Sequence, residues 1–381
     1  MIRTSKLASG LTVVTEHMAE VRSVTLGFWV GVGARDEEPA LAGASHFLEH
    51  LLFKGSDDRS AADIAEAVDA VGGELNAFTA KDHTAFYGRL LAGDLELGLD
   101  ILCDIMWRPA FRPSEIEAER QVILEELRMQ ADEPEDLAQE LLAAALWPRH
   151  PLGREVLGEE ATVSAMGADG LRAFHDARYR PGVTVLAAAG LVDHDALVRL
   201  VEERLATSGR AAGGAPPSRD APADPPEQLI VRRRHTEQAH LVLGLPWVTR
   251  HDPDRHAATL LAQILGGGAS SRLFQEVRER RGLAYTVYAY RSGYDDAGVL
   301  CLYAGTAPAR AAETLAVIAG EVARLADGVT DRERAGRGEQ PGGDAAEVVG
   351  RHRGERRGHL VDRRHAAVEQ LAAADALHPR P

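Results

Sequence analysis

In the run His46-Phe-Leu-Glu49-His50, two imidazoles stand four residues apart with a carboxylate inside the same turn. On a helix such positions project from one face, so both rings can reach one ion. The 381 residues hold only two cysteines, Cys103 and Cys301. A metal here must therefore use nitrogen and oxygen ligands, and zinc suits them. Zinc lowers the pKa of a bound water, and a nearby glutamate can take the proton; Glu49 is spaced for that task. A reactive zinc takes three protein ligands and keeps the fourth position for water. One more nitrogen or carboxylate must come from elsewhere.

The segment after Pro113 offers it. Pro113 and Ser114, with Glu117 three positions on, read as a capping-box start for a long helix to about residue 129. At about 100° per residue, Ile116, Ile123 and Leu127 mark its buried stripe. Glu119 and Glu126 lie seven apart on one flank of that stripe, and Glu125 falls in solvent. One of the two flanking acids suits ligation and the other suits orienting a ligand. Periodicity does not choose between them.

Other elements must hold these residues in place. Strands are predicted at 11–15, 24–32, 74–79 and 84–91, and helices at 42–54, 61–71 and 94–106. Strand, helix, two strands, helix is an α+β order. The stretch 208–226, SGRAAGGAPPSRDAPADPP, reads as a linker. The order then recurs, with strands at 238–245, 284–291 and 298–305 and helices at 255–265, 270–280 and 309–325. In this second copy the first helix, RHAATLLAQIL, carries one histidine and no adjacent glutamate. Only the first copy can hold the metal.

Composition bounds the rest. At this length one core is too few, and two domains are expected. No apolar run approaches the roughly 18 to 20 residues of a membrane span, and the start lacks the basic-then-apolar order of an export signal; the expected location is cytoplasmic, with no membrane partner. A net charge of −15 argues against nucleic acid and is compatible with basic peptides. The last 51 residues, 331–381, contain no aromatic, Ile, Lys, Ser or Thr, but ten Arg and four His. They read as a disordered tail or, preferably, as the product of a frameshift in a GC-rich bacterial gene.

Four blocks occur in sequence: GASHFLEHLLFKGS, GGELNAFTAKDHTAFY, EAERQVILEELRMQADEP and SSRLFQEVRERRGLAYTVYA. Through them, residues 1–330 resemble the pitrilysin/insulinase zinc peptidases, especially the branch of mitochondrial processing peptidase and its bacterial relatives. In that family the third ligand lies 76 residues after the second histidine; here 126 − 50 = 76. The resemblance thus implies one Zn2+ per chain on His46, His50 and Glu126, Glu49 as general base, and Glu119 as the supporting acid. It also implies that the strand at 75–79, with Asn76 and Ala77, pairs with an extended substrate, and that Arg278 and Tyr285 reach the substrate and the developing oxyanion. Gly266-Gly267-Gly268 resembles the family's glycine-rich loop, although a helix C-cap is the simpler cause.

The fold so implied is two homologous α/β-sandwich domains in a clamshell: a zinc domain at 1–207, a linker at 208–227, an inactive repeat at 228–330 and an atypical tail at 331–381. The activity implied is endopeptidase hydrolysis of peptides or processing of presequence-like segments, by a homodimer or beside a homologous subunit. The alternative is a non-catalytic homologue serving as a partner or core subunit.

Overall fold

A computed structural model of the chain describes residues 1–223, 226, 229–330 and 333. The tail at 331–381, apart from Glu333, lies outside the described residues. Two compact units divide the chain: Met1–Ala131 with Arg154–Arg219, and Asp132–Gly153 with the described residues from Asp220 onward.

The first unit begins with β1 (Ile2–Lys6), β2 (Thr12–His17) and β3 (Ser23–Val30), followed by helices α1 (Ala44–Leu52) and α2 (Ala61–Ala70). A hairpin of β4 (Glu74–Thr79) and β5 (Thr84–Leu91) precedes α3 (Leu95–Trp107) and α4 (Pro113–Asp132). Helix α5 (Pro134–Leu146) belongs to the second unit; α6 (Glu160–Ala165), α7 (Ala168–Arg178), β6 (Thr184–Gly190) and α8 (His194–Thr207) return to the first.

Its six strands form one sheet in the order β1-β2-β6-β3-β5-β4, with only the β2–β6 pair parallel. Strand alternation turns Val24, Leu26, Phe28 and Val30 to one face, where all are buried with Phe86 and Leu186. Against that face pack Phe47, Leu48, Leu51 and Leu52 of α1, so the helix carrying the histidines is anchored by its apolar stripe. β4 is an edge strand with Glu74, Asn76 and Phe78 exposed and Leu75, Ala77 and Thr79 half-buried.

The expected strands at 74–79 and 84–91 are β4 and β5. The first expected helix is shorter than 42–54. Gly43 has φ +94°, and a Cβ there would stand 2.6 Å from Leu157 O, so the helix starts at Ala44. The capping box at Ser114 does not form. The helix starts at Pro113, whose fixed φ suits a first turn, and Ile116 N donates to Arg112 O at 3.0 Å. Glu117 instead accepts from Arg120 and Gln121 on its own helix. Residues 208–219, in the stretch read as a linker, have no helix or strand but are bonded to the first unit. Arg210 donates to Asp176 and to Trp107 O; Arg219 donates to both oxygens of Asp36 and to Asp82 O.

The second unit adds β7 (Ala239–Pro246), α9 (Arg255–Gly266), a π-helical segment Phe274–Arg280, β8 (Ala284–Gly293), β9 (Gly298–Thr306) and α10 (Ala311–Asp327). Its described strands form an antiparallel sheet, β7-β9-β8. Leu261, Leu265, Leu273, Val277, Leu302 and Ile318 fill the core on one side. α5 is bonded to β8, Tyr288 Oη donating to Glu135 and Tyr290 Oη to Gln139. The triple glycine owes its first member to packing. A Cβ on Gly266 would lie 2.3 Å from Ala289 N of β8, and one on Gly267, which closes the helix, 2.7 Å from the Gln263 Cα.

Candidate metal centre

His46 and His50 lie one turn apart on α1, their ring centroids 4.7 Å apart. α4 brings Glu126 to them, with Oε2 at 3.7 Å from His46 Nε2 and 3.6 Å from His50 Nε2. One ligand atom from each of these three residues lies within 4.8 Å of the others, the one such cluster among the described residues. Ligands about 2.0–2.1 Å from a tetrahedral zinc stand roughly 3.3 Å from one another. The donor set, two imidazoles and a carboxylate, fits zinc in chemistry and in spacing.

The neighbouring acids divide as helix phase suggests. Glu119, one heptad before Glu126, is 5% exposed. Its Oε2 accepts from His50 Nδ1 at 3.0 Å, which leaves the Nε2 lone pair on the side of Glu126. Glu125 is exposed and pairs with Arg128 on the same helix. His46 is mostly buried, and burial, with His50 alongside, lowers its pKa to about 4. Its ring is neutral at pH 7, the form that ligates.

Glu49 is half-buried, and its Oε2 accepts from Thr79 Oγ1 at 2.6 Å. Burial raises its pKa, the Thr79 bond and His50 oppose that shift, and Glu126 adds to it. Asn76 and Ala77 lie on the edge strand β4, where Ala77 N donates to Asn76 Oδ1 at 2.8 Å.

Arg278 and Tyr285 are in the second unit. The Arg278 guanidinium stands over the Tyr285 ring at 4.3 Å from its centroid and over Phe274 at 4.7 Å. Read as a strand residue alone, Tyr285 looks like core, yet it is 73% exposed. The β8–β9 register shifts between Ala284 and Thr286, and the bulge turns the side chain outward.

Three further residues support the centre. Thr79 lies two positions beyond Ala77, on the same face of β4, and strand alternation alone could have found it. Lys54, four residues after His50, places Nζ 2.8 Å from Glu119 Oε1. Glu37, 5% exposed, accepts from Gly43 N at 2.7 Å and Ser45 N at 2.6 Å, and so caps the first turn of α1 where Gly43 has no side chain to do it. Burial raises the Glu37 carboxyl to about 7, against the two backbone bonds and Arg154.

A histidine pair on a core-anchored helix, a carboxylate from a second helix and a buried acid behind one ring together define a candidate metal-hydrolase centre on a two-unit α+β fold. Residues 12–160 match the insulinase family, peptidase family M16, and residues 165–335 match the peptidase M16 inactive domain. The chain is 46% identical over 345 residues to an uncharacterized zinc protease of Streptomyces coelicolor, covering 87% of this chain and 74% of that protein. It is 38% identical over 337 residues to another of Bacillus subtilis, covering 87% and 81%. The chain therefore belongs to peptidase family M16. The fold is shared with a Pseudomonas fluorescens M16 inactive-domain structure (TM-score 0.82, 23% identity, 100% of this chain and 95% of that one). A Helicobacter pylori protease shares it too (TM-score 0.79, 20% identity, 98% and 96%). Among the described residues no helix is long and apolar enough to cross a membrane.

Proposed function

We propose that the chain is a zinc-dependent endopeptidase that holds one Zn2+ on His46, His50 and Glu126. The observation that carries this reading is the convergence of those three ligand atoms within 4.8 Å beside Glu49. Zinc held there would polarise a peptide carbonyl and acidify a water in its open position. Glu49 takes the proton of the attacking water on its carboxylate while Thr79 holds Oε2 in place, and then passes that proton to the leaving amine nitrogen. Glu119, bonded to His50 Nδ1, keeps that ring in one tautomer and orientation.

An extended peptide is the substrate class the edge strand favours. Its backbone can add to the free side of β4, next to Asn76 and Ala77. Tyr285 Oη and the half-exposed Arg278 are the donors the second unit offers to a peptide and to its developing oxyanion.

Metal analysis of the purified chain together with hydrolysis of a quenched peptide tests the proposal. The expected result is about one zinc per chain and a loss of roughly 10³-fold or more in kcat for Glu49→Gln, with zinc retained. A wild-type chain without stoichiometric zinc, or a Glu49→Gln chain of unchanged activity, refutes it.

A further inference from the structure

We propose that Lys54 is a positioning residue for the metal centre, acting through Glu119 on His50. The inference rests on the zinc site proposed above and concerns a side chain that touches neither ligand nor substrate there. α1 ends at Leu52, and Phe53 continues in helical conformation as its C-cap. Lys54 N then donates to Leu51 O at 3.0 Å, so the backbone at this position is fixed by the last turn. Four residues after His50, the Lys54 side chain shares that ring's flank of the helix.

Three contacts then run in series. Lys54 Nζ is 2.8 Å from Glu119 Oε1, Glu119 Oε2 is 3.0 Å from His50 Nδ1, and His50 Nε2 is 3.6 Å from Glu126 Oε2. A carboxylate bonded through one oxygen only can rotate about its last torsion, since terminal sp³–sp² torsions have broad wells. With one oxygen on an ammonium and the other on the imidazole, Glu119 has a single orientation that satisfies both. Its side chain is 7% exposed, so few waters can substitute for either partner, whereas the Lys54 side chain is 35% exposed and supplies the charge from the rim. The geometry gives His50 an anchor two side chains deep. His46 has no counterpart: its Nδ1 is buried with no hydrogen-bond partner. The ring position of His50 is therefore the one the protein sets by polar contacts, and Lys54 is the outer member of that set.

The chain's composition makes the position distinctive. Lys54 is one of three lysines among 43 basic residues. An ammonium is a compact donor with three rotatable N–H groups, able to meet a single carboxylate oxygen without imposing a planar fork.

The test compares wild type, Lys54→Met and Lys54→Arg, full length. Zinc affinity is read by competition with a chromophoric chelator, and the cobalt-substituted chain gives the visible ligand-field spectrum. Outer-shell partners of ligating histidines are typically worth about 10–100-fold in affinity. As one step further out, Lys54→Met is expected to weaken zinc binding about tenfold and shift the cobalt bands. Lys54→Arg, which keeps the charge but replaces the compact ammonium with a planar fork, should fall between wild type and Lys54→Met. Equal affinity and identical spectra for wild type and Lys54→Met overturn the proposal, as does a Lys54→Arg chain as weak as Lys54→Met. If the wild-type chain itself takes up no zinc, the reading of the metal centre fails first, and that outcome is distinct from a centre that binds zinc without regard to Lys54.

Discussion

Glu37→Gln changes one atom of the group that caps the helix carrying His46 and His50, and its effect should depend on pH in a way that can be worked out. Burial lifts the Glu37 carboxyl from its ordinary 4.5 to about 7. The fold therefore holds the proton more tightly than the unfolded chain does. For a folded pKa raised in this way, the stabilising contribution is complete below pH 4.5, is lost as pH rises towards 7, and changes no further above it. A gap of about 2.5 pK units at about 1.4 kcal/mol each comes to about 3 to 4 kcal/mol. Glutamine keeps the length and one acceptor for Gly43 N or Ser45 N but does not titrate. Whatever constant offset the lost acceptor introduces, the stability difference between the two chains should change by about 3 to 4 kcal/mol across this window, the wild type losing ground as pH rises. Hydrogen exchange of peptides covering residues 43–52, corrected for intrinsic rates, reads the opening free energy of α1 at intervals from pH 4.5 to 8. Parallel profiles for wild type and Glu37→Gln would sink the argument, because the carboxyl would then not titrate differently in the fold.

Other outcomes follow from single contacts. Thr79→Val removes the 2.6 Å hydrogen bond to Glu49 without changing side-chain size; kcat on a quenched peptide should fall about tenfold with KM nearly unchanged, in keeping with a loss of about 1.5 kcal/mol of charge-assisted bonding. Gly43→Ala forces a Cβ to within 2.6 Å of Leu157 O at φ +94° and should cost about 2 kcal/mol or more, seen as a lower melting temperature and lower zinc content. Arg219→Ala removes the bonds that tie residue 219 to Asp36 and to Asp82 O. Limited proteolysis should then cut within 208–219 faster than in the wild type, and an unchanged cleavage rate there would mean that the segment is held by something else.

The parts of this protein legible in its sequence are those fixed by local periodicity. β4 alternates from end to end and β5 from Phe86 to Leu91, and the boundaries expected for them are the ones found. The choice of Glu119 and Glu126 over Glu125 needed only helix phase, because α4 is a regular helix of 20 residues with one face against the core. Periodicity could not rank Glu119 against Glu126, since residues seven apart share a face; what separates them is exposure, 7% against 37% for the side chains, a property of what α1 brings to each. β6 escaped notice because Thr-Val-Leu-Ala-Ala-Ala-Gly has weak strand preference. It is a strand because β2 and β3 pair with it on either side, and Leu186 is buried in the shared core.

The supporting residues are hidden from periodicity for the same cause, while the motif is not. His46, Glu49 and His50 stand within five residues, and their relation is written into one helical turn. Glu37 caps that turn from a loop six residues upstream, and no repeat links a loop position to a helix N-terminus. Tyr285 reverses an expectation for a comparable reason. Alternation along β8 would bury it, and a one-residue bulge, visible only when β9 pairs beside it, turns it out. What the sequence leaves undetermined is therefore of one physical kind: groups whose role depends on a partner from another element. Lys54 stands between the two cases. Its spacing from His50 is local, but it matters only because α4 delivers Glu119 to a point 2.8 Å from its ammonium and 3.0 Å from the ring. The candidate metal centre, assembled across two helices, is thus specified locally on the side that carries the motif and by tertiary packing on the side that completes it.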